Sequence, residues 1–181
     1  CVLVTGGAGY VGSHLVRKLL NRHYRVRVLD NFLYEGHGLQ DIADHPRLEV
    51  LEGDVRHLAT VARAAKGVDG VIALAALVGD AACDQDPEET MATNYESIRV
   101  LADVCRKQQI ERLVFASSCS VYGANSDLVL NEGSWLNPVS LYAQTRVQAE
   151  EEILRLAEGS FGVVILRLAT VFGLSPRMRF D

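Results

Sequence analysis

The chain has 181 residues, 49% of them hydrophobic and 23% charged, with a formal net charge of −5. That length fits one domain with a substantial core, and the acidic balance leaves no basic footprint for nucleic acid. No apolar run reaches the ~18 residues of a membrane span, and the apolar start lacks the charged leader of a signal peptide. The four cysteines, at 1, 83, 105 and 119, show no metal-ligand spacing, so free thiols in a reducing cytoplasm are expected.

The apolar run 1–4 reads as a buried strand. It runs into a glycine-rich turn, Gly6-Gly7-Ala8-Gly9-Tyr10-Val11-Gly12, and then into a helical pattern carried by Val11, Leu15, Val16, Leu19 and Leu20. A strand meeting a helix N-terminus through such a turn suits a dinucleotide pyrophosphate. Free N–H groups and the helix dipole attract the phosphates, and glycine permits close approach.

Residues 24–29 alternate as a second strand, closed by Asp30, 18 residues after Gly12. A carboxylate there accepts hydrogen bonds from adenosine ribose hydroxyls and selects NAD; the plainer alternative is that Asp30-Asn31 opens a turn. Arg25 and Arg27 precede the acid and fall on a solvated or sheet-packed face.

A polar loop follows, then a third strand over 47–52 ending at Gly53-Asp54, a helix over 58–65 and a fourth strand over 68–74. The longest helical pattern covers 87–109, with Pro87 suited to its first turn and Ile98, Leu101, Ala102 and Cys105 on one face. Residues 112–116 form a fifth strand. Asn137-Pro138 precede a long helix reaching about Glu158, and 163–168 form a sixth strand. Glu150-Glu151-Glu152 reads as a solvated helix face. Repeated strand–helix alternation predicts a doubly wound parallel sheet with helices on both faces and a ligand beyond the carboxyl ends of the strands. The chain stops just past the sixth strand, so residues 1–181 are expected to be the cofactor half of a longer protein, with a substrate domain beyond 181.

Two segments carry candidate chemistry. Phe115-Ala116-Ser117-Ser118-Cys119-Ser120-Val121-Tyr122-Gly123 lies at the carboxyl end of the fifth strand, and Pro138-Val139-Ser140-Leu141-Tyr142-Ala143-Gln144-Thr145-Arg146 opens the next helix. On a helix, residues 142 and 146 share a face, where a cation lowers the tyrosine pKa and favours the phenolate that proton transfer needs. Cys119 has no His–Asp partner nearby and is not read as a nucleophile. His14, His23, His37, His45 and His57 have no acids at ligand spacing, so no metal site is expected. Trp135 and Leu136 either touch a substrate or anchor their loop, and Arg177 and Arg179 are candidates for meeting a diphosphate.

Thr5-Gly6-x-x-Gly9-x-x-Gly12, Asp30-Asn31, Gly53-Asp54-Val55, Leu74-Ala75-Ala76, Asn94, Ser117-Ser118, Tyr142-x-x-x-Arg146 and the run 167–173 (Arg-Leu-Ala-Thr-Val-Phe-Gly) stand in one order. In that order, essentially the whole chain resembles the extended short-chain dehydrogenases/reductases of the nucleotide-sugar epimerase and dehydratase group. The resemblance implies a Rossmann domain with NAD as cofactor, a nucleotide-sugar substrate, a smaller C-terminal substrate domain and a homodimer formed through the two long helices.

By position it implies that Gly6, Gly9, Tyr10 and Val11 line the pyrophosphate, Asp30 and Asn31 bind the adenosine ribose, and Asp54 and Val55 flank adenine. Leu74, Ala75 and Ala76 would run along the cofactor, and Ser117 would belong to its site. Asn94 would tie that site to the fifth strand. Tyr142 would be the general base toward a sugar hydroxyl, and Ser118 would bond that oxygen and Tyr142. Val78 and Thr170 would join Ser118 and Tyr142 at the substrate.

The sequence departs from the family at Arg146, which stands where a lysine binding the nicotinamide ribose is expected. Arginine keeps the charge but is longer and planar. Ala73 replaces a common histidine, Thr170 a common asparagine, and Ser97-Ile98 a usual Gly-Thr, which makes that helix more conventional. Relatives that eliminate water carry Asp-Glu after the serine or threonine. Cys119-Ser120 here disfavours a dehydratase and favours an epimerase of the UDP-glucose 4-epimerase kind. The alternatives are a dehydratase or reductase of the same family, or an NAD-binding regulatory protein weakened in catalysis at Arg146.

Overall fold

The computed structural model describes residues 1–34, 36–124, 129–157, 159 and 161–178. Strands β1 (Val2–Thr5), β2 (Val26–Asp30), β3 (Leu48–Glu52), β4 (Gly70–Ala73), β5 (Arg112–Ser118) and β6 (Gly162–Leu168) form one sheet. Their order is β3-β2-β1-β4-β5-β6, and every neighbouring pair is parallel. The apolar run of β1 shows no alternation because helices cover both faces: Leu3 and Val4 are both fully buried. Strand order reverses at β1, which lies between β2 and β4 and opens a crevice at its carboxyl end. Register sets Thr5 beside Ala73 and Ser118 beside Leu168, so the candidate chemistry stands at one sheet edge.

Among the described residues, six helices flank the sheet: α1 (Tyr10–Asn21), α2 (Leu58–Ala65), α3 (Asp80–Gln85), α4 (Pro87–Met91), α5 (Ser97–Lys107) and α6 (Leu141–Leu156). One core layer packs α2, α5 and α6 on Leu113 and Phe115. The other packs α1 on Val4 and Val28 and takes Leu39 from a 3-10 turn, Gly36–Ile42, inside the stretch expected as a polar loop. Arg17 holds that turn on α1, its Nη1 donating to the carbonyls of Ser13 (2.7 Å) and Gly38 (2.9 Å). Arg27 takes the sheet-packed alternative, pairing with Glu49 on β3 at 2.7 Å and donating to the Ala64 and Lys66 carbonyls at the end of α2.

The expected helix over 87–109 is three pieces. Asp86 caps α4 by accepting the Glu89 N–H at 2.9 Å, and Pro87 occupies the first turn as expected. A π-helical turn, Ala92–Glu96, then precedes α5, whose inner face carries Ile98, Leu101, Ala102 and Cys105. The wide turn carries Asn94, fully buried, and corrects the expectation of a conventional helix. Helix α3 was not foreseen: six residues with only Cys83 buried show no readable period. Helix α6 starts at Leu141, where Ser140 accepts the Ala143 N–H, and is described to Leu156; the expected end at Glu158 lies outside the described residues. Strand β5 runs two residues further than expected because β6 pairs with it through Ser118. No helix among the described residues is long and apolar enough to cross a membrane.

Candidate active site

The carboxyl edge of the sheet opens into a cleft of about 1080 Å³. The glycine turn forms its floor between β1 and α1. Gly6 has φ of +71°, and its N–H donates to the Leu29 carbonyl at 2.9 Å, tying the turn to β2. A Cβ on Gly6 would lie 2.6 Å from the Ala75 nitrogen, so only glycine lets the turn sit against the segment after β4. Gly9 caps α1 without a side-chain bond, so the orphan N–H groups of the first helical turn remain for a ligand. The first N–H engaged after the cap is that of Ser13, donated to the Gly9 carbonyl at 2.9 Å.

Asp30 shapes this cradle. One carboxylate oxygen accepts the Ala8 N–H at 2.9 Å, and the other accepts the Phe32 N–H at 2.9 Å. Asp30 thus opens a turn, and it lines the cleft beside Asn31. Asp54 and Val55 line the same end. The Arg56 guanidinium, hydrogen-bonded to Asp54 at 2.6–3.0 Å, holds that carboxyl below the usual carboxylate range. Tyr10, Val11, Leu74, Ala75, Ala76, Val78, Ser117, Ser118, Tyr142, Arg146 and Thr170 also line the cleft.

Tyr142 and Arg146 lie one turn apart on α6 and meet as their spacing requires. The Arg146 guanidinium carbon is 5.1 Å from the Tyr142 ring centroid and 5.4 Å from that of Phe115. Arg146 is 2% exposed, and its Nε and Nη2 have no hydrogen-bond partner among the described residues. Burial pushes its pKa down, opposed by Tyr142, Cys83 and Glu150, yet a guanidinium keeps its proton in proteins. A buried charge with unpaired donors costs several kcal/mol, and stacking on aromatic faces offsets only part of it. The arrangement therefore fits an acceptor-rich ligand, such as the ribose hydroxyls of a dinucleotide lying between the glycine turn and Tyr142.

Four expectations are corrected. Asn94 does not line the cleft or reach β5: its side chain accepts the Leu77 N–H and donates to the Leu77 carbonyl, both at 2.9 Å, so it braces the segment after β4 from behind. Among the described residues no hydrogen bond joins Ser118 to Tyr142. The Ser118 hydroxyl instead accepts from the Ser120 N–H (3.2 Å) and hydroxyl (2.9 Å), because the chain turns into a 3-10 helix at Cys119–Tyr122. The Ser117 hydroxyl is turned away from the cleft to donate to Glu150. Glu150 itself is not solvated: it is 2% exposed and pairs with Arg167 through contacts of 2.6–3.1 Å.

Trp135 is absent from the cleft lining and 91% exposed, so it does not anchor its loop. Arg177 lines the cleft, its guanidinium 4.4 Å from the Tyr34 ring, whereas Arg179 lies outside the described residues. Reading the sequence missed Tyr34, Glu89 and Thr93 as lining residues. It also missed Glu150, although its place one turn beyond Arg146, on the inner face of α6, is a usable signal.

Fold and cleft define a dinucleotide-binding α/β protein of the doubly wound parallel kind. The family model described as NAD dependent epimerase/dehydratase matches residues 2–181, and the chain belongs to that family, whose cofactor is NAD. It is 33% identical over 190 residues to an uncharacterized UDP-glucose epimerase, YtcB, of Bacillus subtilis, with 99% of this chain and 58% of that protein covered. It is 31% identical over 179 residues to a UDP-glucose 4-epimerase of Lacticaseibacillus casei, covering 97% and 53%. Among solved structures, a dTDP-glucose 4,6-dehydratase of Streptomyces venezuelae, DesIV, with NAD bound, superposes with a TM-score of 0.87 at 31% identity, covering 92% of this chain and 55% of that one. The chain thus spans about half the length of the curated relatives it matches.

Proposed function

We propose that residues 1–181 are the NAD-binding domain of a nucleotide-sugar 4-epimerase whose substrate domain lies beyond residue 181. The observation that carries this reading is the buried, unpaired Arg146 guanidinium stacked on Tyr142 inside the cleft floored by the glycine turn. The first-turn N–H groups of α1 would hold the pyrophosphate and Asp30 the adenosine ribose. Bound NAD would supply a hydride acceptor beside the sugar. Arg146 lies close to the Tyr142 ring, and Tyr142 Oη would take the proton from the sugar hydroxyl. Ser118 would release Ser120 and bond the same oxygen.

Cys119 and Ser120 follow Ser118, so no carboxyl stands there to protonate a leaving hydroxyl; this favours epimerisation over dehydration. Pairing of two copies through α5 and α6 belongs to the same proposal.

The test is a panel of UDP-, dTDP- and GDP-sugars offered to the full-length protein and its Tyr142→Phe variant. One sugar should reach equilibrium with its 4-epimer, and the variant should lose about 10²–10⁴-fold in rate. A 4-keto-6-deoxy product would replace the reading by a dehydratase. NAD binding with no sugar converted would replace it by a regulatory protein.

A further inference from the structure

On α6, Arg146 and Glu150 stand one turn apart and both are 2% exposed. An arginine and a glutamate so placed ordinarily pair. Here they do not: no hydrogen bond or ion pair joins them among the described residues, although each lies within the other's field. Glu150 is engaged elsewhere. Arg167 on β6 binds both of its oxygens, Nε at 3.1 Å to each and Nη2 at 2.6 Å to one, and the Ser117 hydroxyl adds a further donor. Arg167 is itself fixed from the far side. Its Nη1 donates to the Tyr122 hydroxyl at 2.9 Å and to the Glu132 carbonyl at 3.2 Å, and its guanidinium lies 5.1 Å from the Tyr122 ring.

We propose that Arg167 is a positioning residue that acts by occupying Glu150, so that the neighbouring Arg146 keeps its donors free for the cleft. The proposal rests on the reading of Arg146 as a dinucleotide contact. A bidentate arginine fork satisfies a carboxylate more completely than a single guanidinium edge from the same helix. With Arg167 in place, the carboxylate has no reason to turn back one helical turn. Without it, Glu150 would be a buried anion one turn from a buried cation, and the two would close on each other. Arg146 would then present a neutralised, committed group to the cleft. Arg167 never touches a ligand in this scheme.

The test is NAD affinity by calorimetry on the full-length protein, for Arg146→Met, Arg167→Met, Arg167→Lys and the double variant Arg167→Met/Glu150→Gln. Arg146→Met and Arg167→Met should each weaken binding by about tenfold or more, the value of one hydrogen bond to a charged group. Arg167→Lys still neutralises Glu150 and should stay within about threefold of wild type, by the same scale. The double variant decides the matter, because it removes both the occupier and the anion it occupies. Recovery to within about threefold supports the proposal even if Arg167→Met alone does not fold. A double variant as weak as Arg146→Met overturns it, since Arg167 would then matter in its own right. An Arg146→Met protein that binds NAD as wild type does overturns the underlying reading of Arg146, whatever the double variant shows.

Discussion

Gly6 and Gly67 share a positive φ and differ in surroundings, which makes them a useful pair. Their φ values are +71° and +69°. Alanine at either site adopts a left-handed conformation costing roughly 1–2 kcal/mol. At Gly67, between α2 and β4, nothing lies within 4 Å of the added carbon, so that strain is the whole cost. At Gly6 the added carbon would sit 2.6 Å from the Ala75 nitrogen and 2.8 Å from its Cα, both backbone atoms that cannot rotate away. Forcing β1 and the segment after β4 apart adds an overpacking term of about 1–3 kcal/mol.

Gly67→Ala should therefore lower Tm by about 2–8 °C, and Gly6→Ala by about 4–20 °C, at about 2–4 °C per kcal/mol for a chain of this size. Scanning calorimetry without cofactor measures both, and calorimetric titration with NAD should show affinity lost at Gly6→Ala and kept at Gly67→Ala. Equal losses of Tm with equal NAD affinities would refute the reasoning, because the collision with Ala75 is the only difference invoked.

Two further outcomes concern titration and thiols. The hydrogen-bonded Arg56 side chain depresses the Asp54 pKa, so the pair stabilises the fold above the ordinary carboxylate value near ~3.9 and loses that contribution as pH falls through the depressed value. Arg56→Ala should lower Tm at pH 7 by about 1–3 °C, as befits a solvent-screened pair worth under about 1 kcal/mol, and calorimetry at progressively lower pH should find the gap narrowing. Cys119 is exposed, whereas burial pushes the Cys105 thiol up to about 12 and raises that of Cys83. Iodoacetamide at pH 8 followed by peptide mass spectrometry should find Cys119 alkylated in the native protein and Cys83 and Cys105 only after denaturation; early labelling of Cys105 would contradict the packing of α5.

The sequence by itself determined whatever depends on neighbours along the chain. Apolar runs ending in glycine or an acid marked the strands, the turn from Gly6 to Gly12 marked the floor of the cleft, and the i,i+4 spacing of Tyr142 and Arg146 placed them on one face. Capping by Asp86 at Pro87 is likewise a local signal. Tertiary structure decided the partners. Glu150 belongs to a run of three acids that reads as solvated, and only the arrival of Arg167 from β6 makes it a buried ion pair. Asn94 is expected to reach the fifth strand, and only the π turn presents it instead to Leu77, 17 residues back. The bond expected between Ser118 and Tyr142 is displaced by a closer one to Ser120, because the chain beyond β5 curls back on itself. Periodicity records which face of an element is apolar; it carries no information about which polar group from a distant strand will meet that face, and that meeting determines whether Arg146 is paired or free.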